Sequence, residues 1–161
     1  MTPRRLDGKD ATTEVVVDVL DDMYMWRAAR AGVTLFGTRV GRVLLTTERF
    51  LFLSTGSGLA TQLPWGAFRT YAPISAGQTR TDQLNLGALQ NKGSLNIRLD
   101  RITAARVERR WDLSHYLVVE ISAAHDAPPV CSFMTRYGFN PGTLAAFVDT
   151  LEWARTRGKP T

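Results

Sequence analysis

Two histidines, one cysteine and a cluster of arginines around a tryptophan are the residues with the widest chemical range in this sequence. His115 and His125 flank what reads as one strand, HYLVVEIS. An extended strand of that length holds its ends about 25–35 Å apart, which rules out a shared metal. Both histidines read as surface or loop positions, and His125 and Asp126 are too close in sequence to face one another as a dyad. Cys131, in PVCSFM, reads as a small buried hydrophobe. A nucleophilic thiolate needs a base or a cationic neighbour, and the sequence offers none at a recognisable spacing. No G-x-S-x-G, H-E-x-x-H or Walker motif occurs. GTRVGR has neither dinucleotide spacing nor a following helix, and DGKDATTE lacks the central glycine of a calcium loop. These residues point to a non-enzyme with no metal and no cofactor.

The stretch RVERRWDLSHY is more informative. Strand alternation puts Arg106, Glu108 and Arg110 on one face and Val107, Arg109 and Trp111 on the other. DLS turns the chain, and the turn gathers Arg109, Arg110, Trp111, Leu113, His115 and Tyr116. A cationic tip bearing an aromatic and a leucine has the chemistry of an interfacial docking loop: arginine reaches phosphates, and tryptophan lies at the headgroup boundary. The competing reading has Trp111 and Leu113 plugging the end of a barrel while the arginines are solvated.

These residues need elements to hold them. From Gly32 onward, short β-type runs alternate with turn residues: VTLFG, RVLLTT, RFLFLS, WGAFRTYA, SLNIRL, ITAARVERRW, HYLVVEIS and VCSFMTRY. Such a series, with no helical pattern inside it, predicts a mainly β sandwich or barrel. TEVVVDVLDDMYMWRAARAG is ambiguous by period. The three valines favour a strand over 15–20, with helix after it. TGSGLATQ reads as a loop. Residues 73–93 form a long polar stretch, read as a disordered or variable insert; alternatively Leu84, Leu86 and Leu89 form a short amphipathic turn that covers something. At the end, Asn140 and Pro141 open a helix whose stripe is Leu144, Phe147, Val148, Leu151 and Arg155, closed by Gly158 and Pro160. Trp153 lies off that stripe, and either packs on the N-terminal segment or serves as an exposed anchor.

The opening hairpin, GRVLLTTERFLFLST, is apolar on both faces. Val43, Leu45, Phe50 and Phe52 suit a core. Leu44, Leu51 and Leu53 need a second cover, either the first segment or a second copy of the chain, so the outer face of 41–55 is a candidate homodimer contact.

The chain has 161 residues, 44% of them hydrophobic and 22% charged, as in an ordinary globular protein. Its length fits one domain, expected over 14–158, after a polar tail at 1–13. The single cysteine excludes an internal disulfide. No secretory signal and no membrane-spanning run is visible, so the expected location is the cytoplasm, including peripheral attachment to a membrane. A net charge of +5 attracts an anionic lipid surface or an acidic protein. Nucleic acid is disfavoured, because no basic strand carries interleaved aromatics.

The hairpin resembles the signature hairpin of GRAM domains and bacterial PH-like domains. Gly41, Thr46, Arg49, Phe50 and Phe52 stand where that family has a glycine, a strand-ending threonine, a basic turn residue and an aromatic-rich strand. SLNIRLDRITAARVERRW is similar to the family's next cue, and the later strands and terminal helix follow in the family's order over residues 33–157. The resemblance implies a PH-like barrel or sandwich of about seven antiparallel strands in two sheets, capped by one C-terminal α-helix. It also implies a binding or scaffolding role toward a protein partner or an anionic membrane surface. Many PH domains hold phosphoinositide headgroups near the loop before this strand, which makes Arg39 and Arg42 a candidate basic rim. The alternative function is a small-molecule carrier built on the same barrel. Large residues such as Phe50 and Phe52 argue that its interior is filled.

Overall fold

The computed structural model describes residues 14–28, 38–57, 72–122, 127–135 and 141–157. The expectations placed on 1–13, on VTLFG, on nearly all of WGAFRTYA, on His125 and on the helix-flanking Asn140, Gly158 and Pro160 lie outside the described residues.

Among the described residues, seven strands and one helix follow in chain order: β1 Val16–Trp26, β2 Arg39–Thr46, β3 Arg49–Ser57, β4 Leu95–Arg98, β5 Ile102–Arg109, β6 His115–Ile121, β7 Val130–Thr135 and α1 Pro141–Arg157. All pairings are antiparallel, in the order β4-β3-β2-β1-β7-β6-β5. The strands thus form one hydrogen-bonded sheet where the resemblance implied two, because β1 pairs with β2 along its length and with β7 over Met23 to Trp26.

The helix expected after Leu20 is replaced by strand. The register slips between Leu20 and Met23, and Asp22 adopts φ 55°. This bulge absorbs the two aspartates and lets the strand continue. Beyond it, Met23 and Met25 point into the main core while Tyr24 and Trp26 join a second cluster with Val40, Tyr116 and Val118. The segment that was ambiguous by period is one bent strand with two buried faces.

The β2–β3 hairpin pairs Leu45 with Phe50, Leu44 with Leu51 and Val43 with Phe52. Its two-residue turn is closed by Thr46, whose Oγ1 accepts from the backbone N–H of Glu48 (3.1 Å) and of Arg49 (2.8 Å). Gly41 sits where the two strands approach closely. A Cβ there would lie 2.1 Å from the Leu53 carbonyl oxygen, so only glycine fits.

Inside the sheet, Phe50, Phe52, Phe133 and Phe147 pack edge to face, with centroids 5.3–6.2 Å apart. α1 delivers Leu144, Phe147, Leu151 and Ala154 to this core, with Val148 half-buried beside them. Most of the stripe expected from the spacing is therefore the buried face. Arg155 instead bonds Glu152 and the Thr103 carbonyl.

The outer leucines are covered by the chain itself. Leu44, Leu51 and Leu53 are buried under Val19, Ile74, Leu84, Leu86, Ala88 and Leu89. The homodimer contact expected through the outer face of 41–55 is corrected accordingly: residues 73–93 occupy that face. The stretch carries two short 3-10 turns, Thr81–Gln83 and Gly87–Gln90. Backbone bonds tie its first half to β1, with Val16 N–H donating to Thr79 O (2.9 Å) and Gly77 N–H to Val16 O (2.7 Å). Asn91 and Ser94 tie its second half to Ser54.

Candidate docking site

The β5–β6 hairpin keeps strict register from Val107↔Leu117 to Arg109↔His115 and ends in a tight turn. Leu113 N–H donates to Arg110 O (3.0 Å), and Arg110 N–H donates to Ser114 O (2.7 Å). Leu113 takes the left-handed position, φ 69°. Glycine or asparagine ordinarily fills such a place, because a side-chain-bearing residue there costs about 1–2 kcal/mol.

Polar side chains brace the turn from beneath. Asp112 Oδ1 accepts from Ser114 Oγ (2.6 Å) and Ser114 N–H (3.1 Å). The Arg110 guanidinium binds both Asp112 oxygens. These bonds, Arg110's first and Ser114's second, hold the Asp112 carboxyl well below the usual carboxylate range. Trp111 and Leu113 project outward, 78% and 62% exposed. The reading in which they plug the barrel end is not the one the fold adopts.

The six residues singled out in sequence divide. Arg109 is exposed, and Arg110 and His115 are half-buried at the same end as Trp111 and Leu113. Tyr116 is turned away: it is buried beside Tyr24 and Trp26 in the second cluster, and its hydroxyl donates to Glu108 Oε2 (2.8 Å). Arg106 pairs with Glu108 (2.6 Å) and Glu120 (3.1 Å). The tip is therefore an apolar point on a charge-balanced base, with Arg109 as its exposed cation.

Arg39 and Arg42 do not make a basic rim. Arg42 is buried, paired with Asp21, and donates to the Ala72 carbonyl (2.6 Å). Arg39 is half-buried, and its side chain lies against Gly93, where a Cβ would come within 2.6 Å of it. On a half-buried strand an arginine is as easily a brace as a ligand-binding group, and composition does not separate the two.

Two clefts escaped the sequence reading. One, of about 680 Å³, lies at the opposite end from the tip, between the β2–β3 turn, the link from β4 to β5 and the end of α1. Its arginines are satisfied internally: Arg49 by Glu14, Arg98 by Asp100 and Arg155 by Glu152. The other, of about 530 Å³, is lined by Val17, Ala76, Gly77, Asp149, Thr150 and Trp153. Trp153 is 43% exposed, with the Arg157 guanidinium 4.4 Å from its ring centroid.

Cys131 is buried, and burial pushes its thiol up to about 12, which leaves it protonated and unreactive at neutral pH. Among the described residues, no three His, Cys, Asp or Glu side chains gather as a metal site. Among the same residues, no helix is long and apolar enough to cross a membrane.

No family model matches the sequence, and no curated protein matches it. Among solved structures, the N-terminal PH domain of Vps36 superposes with a TM-score of 0.50 at 12% identity, covering 89% of this chain and 80% of that one. At that identity the likeness concerns architecture alone. With its antiparallel seven-stranded sheet and C-terminal helix, the chain has a PH-like fold.

Proposed function

We propose that this chain is a single PH-like domain over residues 14–158, of the GRAM kind, and a non-enzymatic binding module. It docks on an anionic membrane surface through the β5–β6 tip, as a cytoplasmic protein held peripherally. One observation carries the reading: Trp111 and Leu113 stand side by side in water on a turn that holds Leu113 in a left-handed conformation. Two large apolar residues in solvent and a strained backbone are each unfavourable to the free protein, and strain of this kind collects at functional sites.

Burying the exposed parts of both side chains in a headgroup boundary is worth roughly 3–5 kcal/mol. That is a weak anchor alone. The net charge of +5 supplies the preference for an anionic surface, with Arg109 nearest the bilayer. The four phenylalanines occupy the interior where a carrier would hold its cargo, which argues against the carrier alternative.

Vesicle co-sedimentation tests the reading. The protein is expected to pellet with phosphatidylcholine–phosphatidylserine vesicles and not with pure phosphatidylcholine. Salt weakens that binding, and Trp111→Ala reduces it at least tenfold. Absence of binding to either vesicle would replace the membrane with a protein partner, and an unchanged Trp111→Ala variant would move the membrane contact away from the tip.

A further inference from the structure

The cleft beside α1 combines three features. Its lining is mostly apolar: Val17 from β1, Ala76 and Gly77 from the covering stretch, and the Trp153 indole. Asp149 lies on the same wall one helical turn before Trp153 and is exposed. Next to Val17 on β1 stands a second carboxylate, Asp18, half-buried, accepting from the Val19 N–H (2.8 Å). Among the described residues, no cation pairs with either aspartate. Burial raises the Asp18 pKa above its ordinary value, as expected of a carboxylate withdrawn from water without a counter-charge. In a chain of net charge +5, this is an acidic, aromatic pocket on a basic molecule.

Such a pocket suits a cation with an apolar stem. The methylenes pack on Val17, the charge lies over the indole face, and the Asp149 carboxylate neutralises it. The molecule already shows that this ring accepts a guanidinium, since Arg157 stacks on it. Arg157 is not among the residues that line the cleft, whereas Trp153 is. Ala76, Gly77, Asp149 and Trp153 are all exposed. The cleft would therefore enclose little of a free small molecule, whereas small-molecule sites bury about 70–90% of theirs. A side chain carried on a polypeptide adds contacts beyond the cleft, and a polypeptide is the occupant that this shallow shape suits.

We propose that the Val17–Asp149–Trp153 cleft binds a lysine or arginine side chain of a protein partner. The site is independent of the tip and does not need the membrane reading to hold.

The test is NMR titration of the full chain with acetyl-trilysine amide, following the Trp153 indole N–H, identified by its loss in Trp153→Phe. A saturable shift is expected, weakened at least tenfold in Asp149→Asn and absent with acetyl-triglutamine amide. Asp149 is an exposed helix position, so its replacement keeps the fold, and the dispersion of the remaining spectrum reads that directly. Trp111→Ala is expected to leave the titration unchanged. A non-saturating shift, an equal response to the neutral peptide, or full affinity in Asp149→Asn would overturn the proposal. Choline binding more tightly than trilysine would overturn the choice of a polypeptide.

Discussion

Leu113 carries the most pointed consequence at the scale of single residues. Its left-handed backbone costs about 1–2 kcal/mol, which glycine would relieve less its own entropic penalty of about 0.5–1 kcal/mol. Leu113→Gly is therefore expected to raise the thermal midpoint by about 1–3 °C while weakening vesicle binding. A lowered midpoint would show that the leucine is there for stability. Much of this site was legible beforehand. The RRWDLS sequence announced a turn with an aromatic and cations, and strand alternation placed them. The left-handed leucine was not legible, because nothing distinguishes its sequence from one that places a glycine there. Arg42 and Tyr116 were misplaced for a related reason. Both types occur on surfaces and as half-buried braces, and only the partners, Asp21 and Glu108, decide between the two.

Among the elements, residues 73–93 decide how a thin sheet can be apolar on both sides. Leu84, Leu86 and Leu89 lie over Leu44, Leu51 and Leu53 as a second, local core. The spacing of these leucines was visible in sequence, but their target was not, since it comes from strands 31 to 45 residues away. Leu84→Asp is expected to lower stability by about 1–3 kcal/mol. It also uncovers the outer leucines, so sedimentation velocity is expected to show concentration-dependent self-association. A variant that stays monomeric with an unchanged denaturation midpoint would mean that the stretch is not a cover. The error over β1 was also one of elements: a bulge at Asp22 broke the alternation on which the strand reading depends.

Across the whole molecule, Glu14 fastens three parts together. Its carboxylate accepts from Arg49 Nε and Nη2 (both 2.8 Å), Thr46 Oγ1 (2.6 Å) and Thr81 Oγ1 (3.2 Å), joining the start of β1, the β2–β3 turn and the covering stretch. Burial pushes its pKa up, but the bonds from Arg49 and Thr46 outweigh it and hold the folded value below the ordinary 4.5. A depressed folded pKa gives stability that is present above the unfolded value and lost as pH falls through the folded one. Denaturation midpoints are thus expected to drop below about pH 4.5, with Glu14→Gln removing part of that slope and about 1–3 kcal/mol at neutral pH. An unchanged slope in the variant would place the acid sensitivity elsewhere. The broad architecture was the most legible level, because hairpin signals and a capped terminal helix are local. The joining of the two half-sheets through β1 was not, since it depends on Trp26 meeting Ser132 from the other end of the chain.

That same junction bears on how the domain folds. Among the described strands, β1 precedes the other six in sequence, and one of its two neighbours, β7, follows them. A topology whose keystone pairing closes the longest loop folds slowly, since loop entropy is lost before the contact is gained. Until β7 arrives, the edge of β1 that carries Met23, Tyr24, Met25 and Trp26 has no partner on that side. During that interval this apolar edge is open to pairing with another chain.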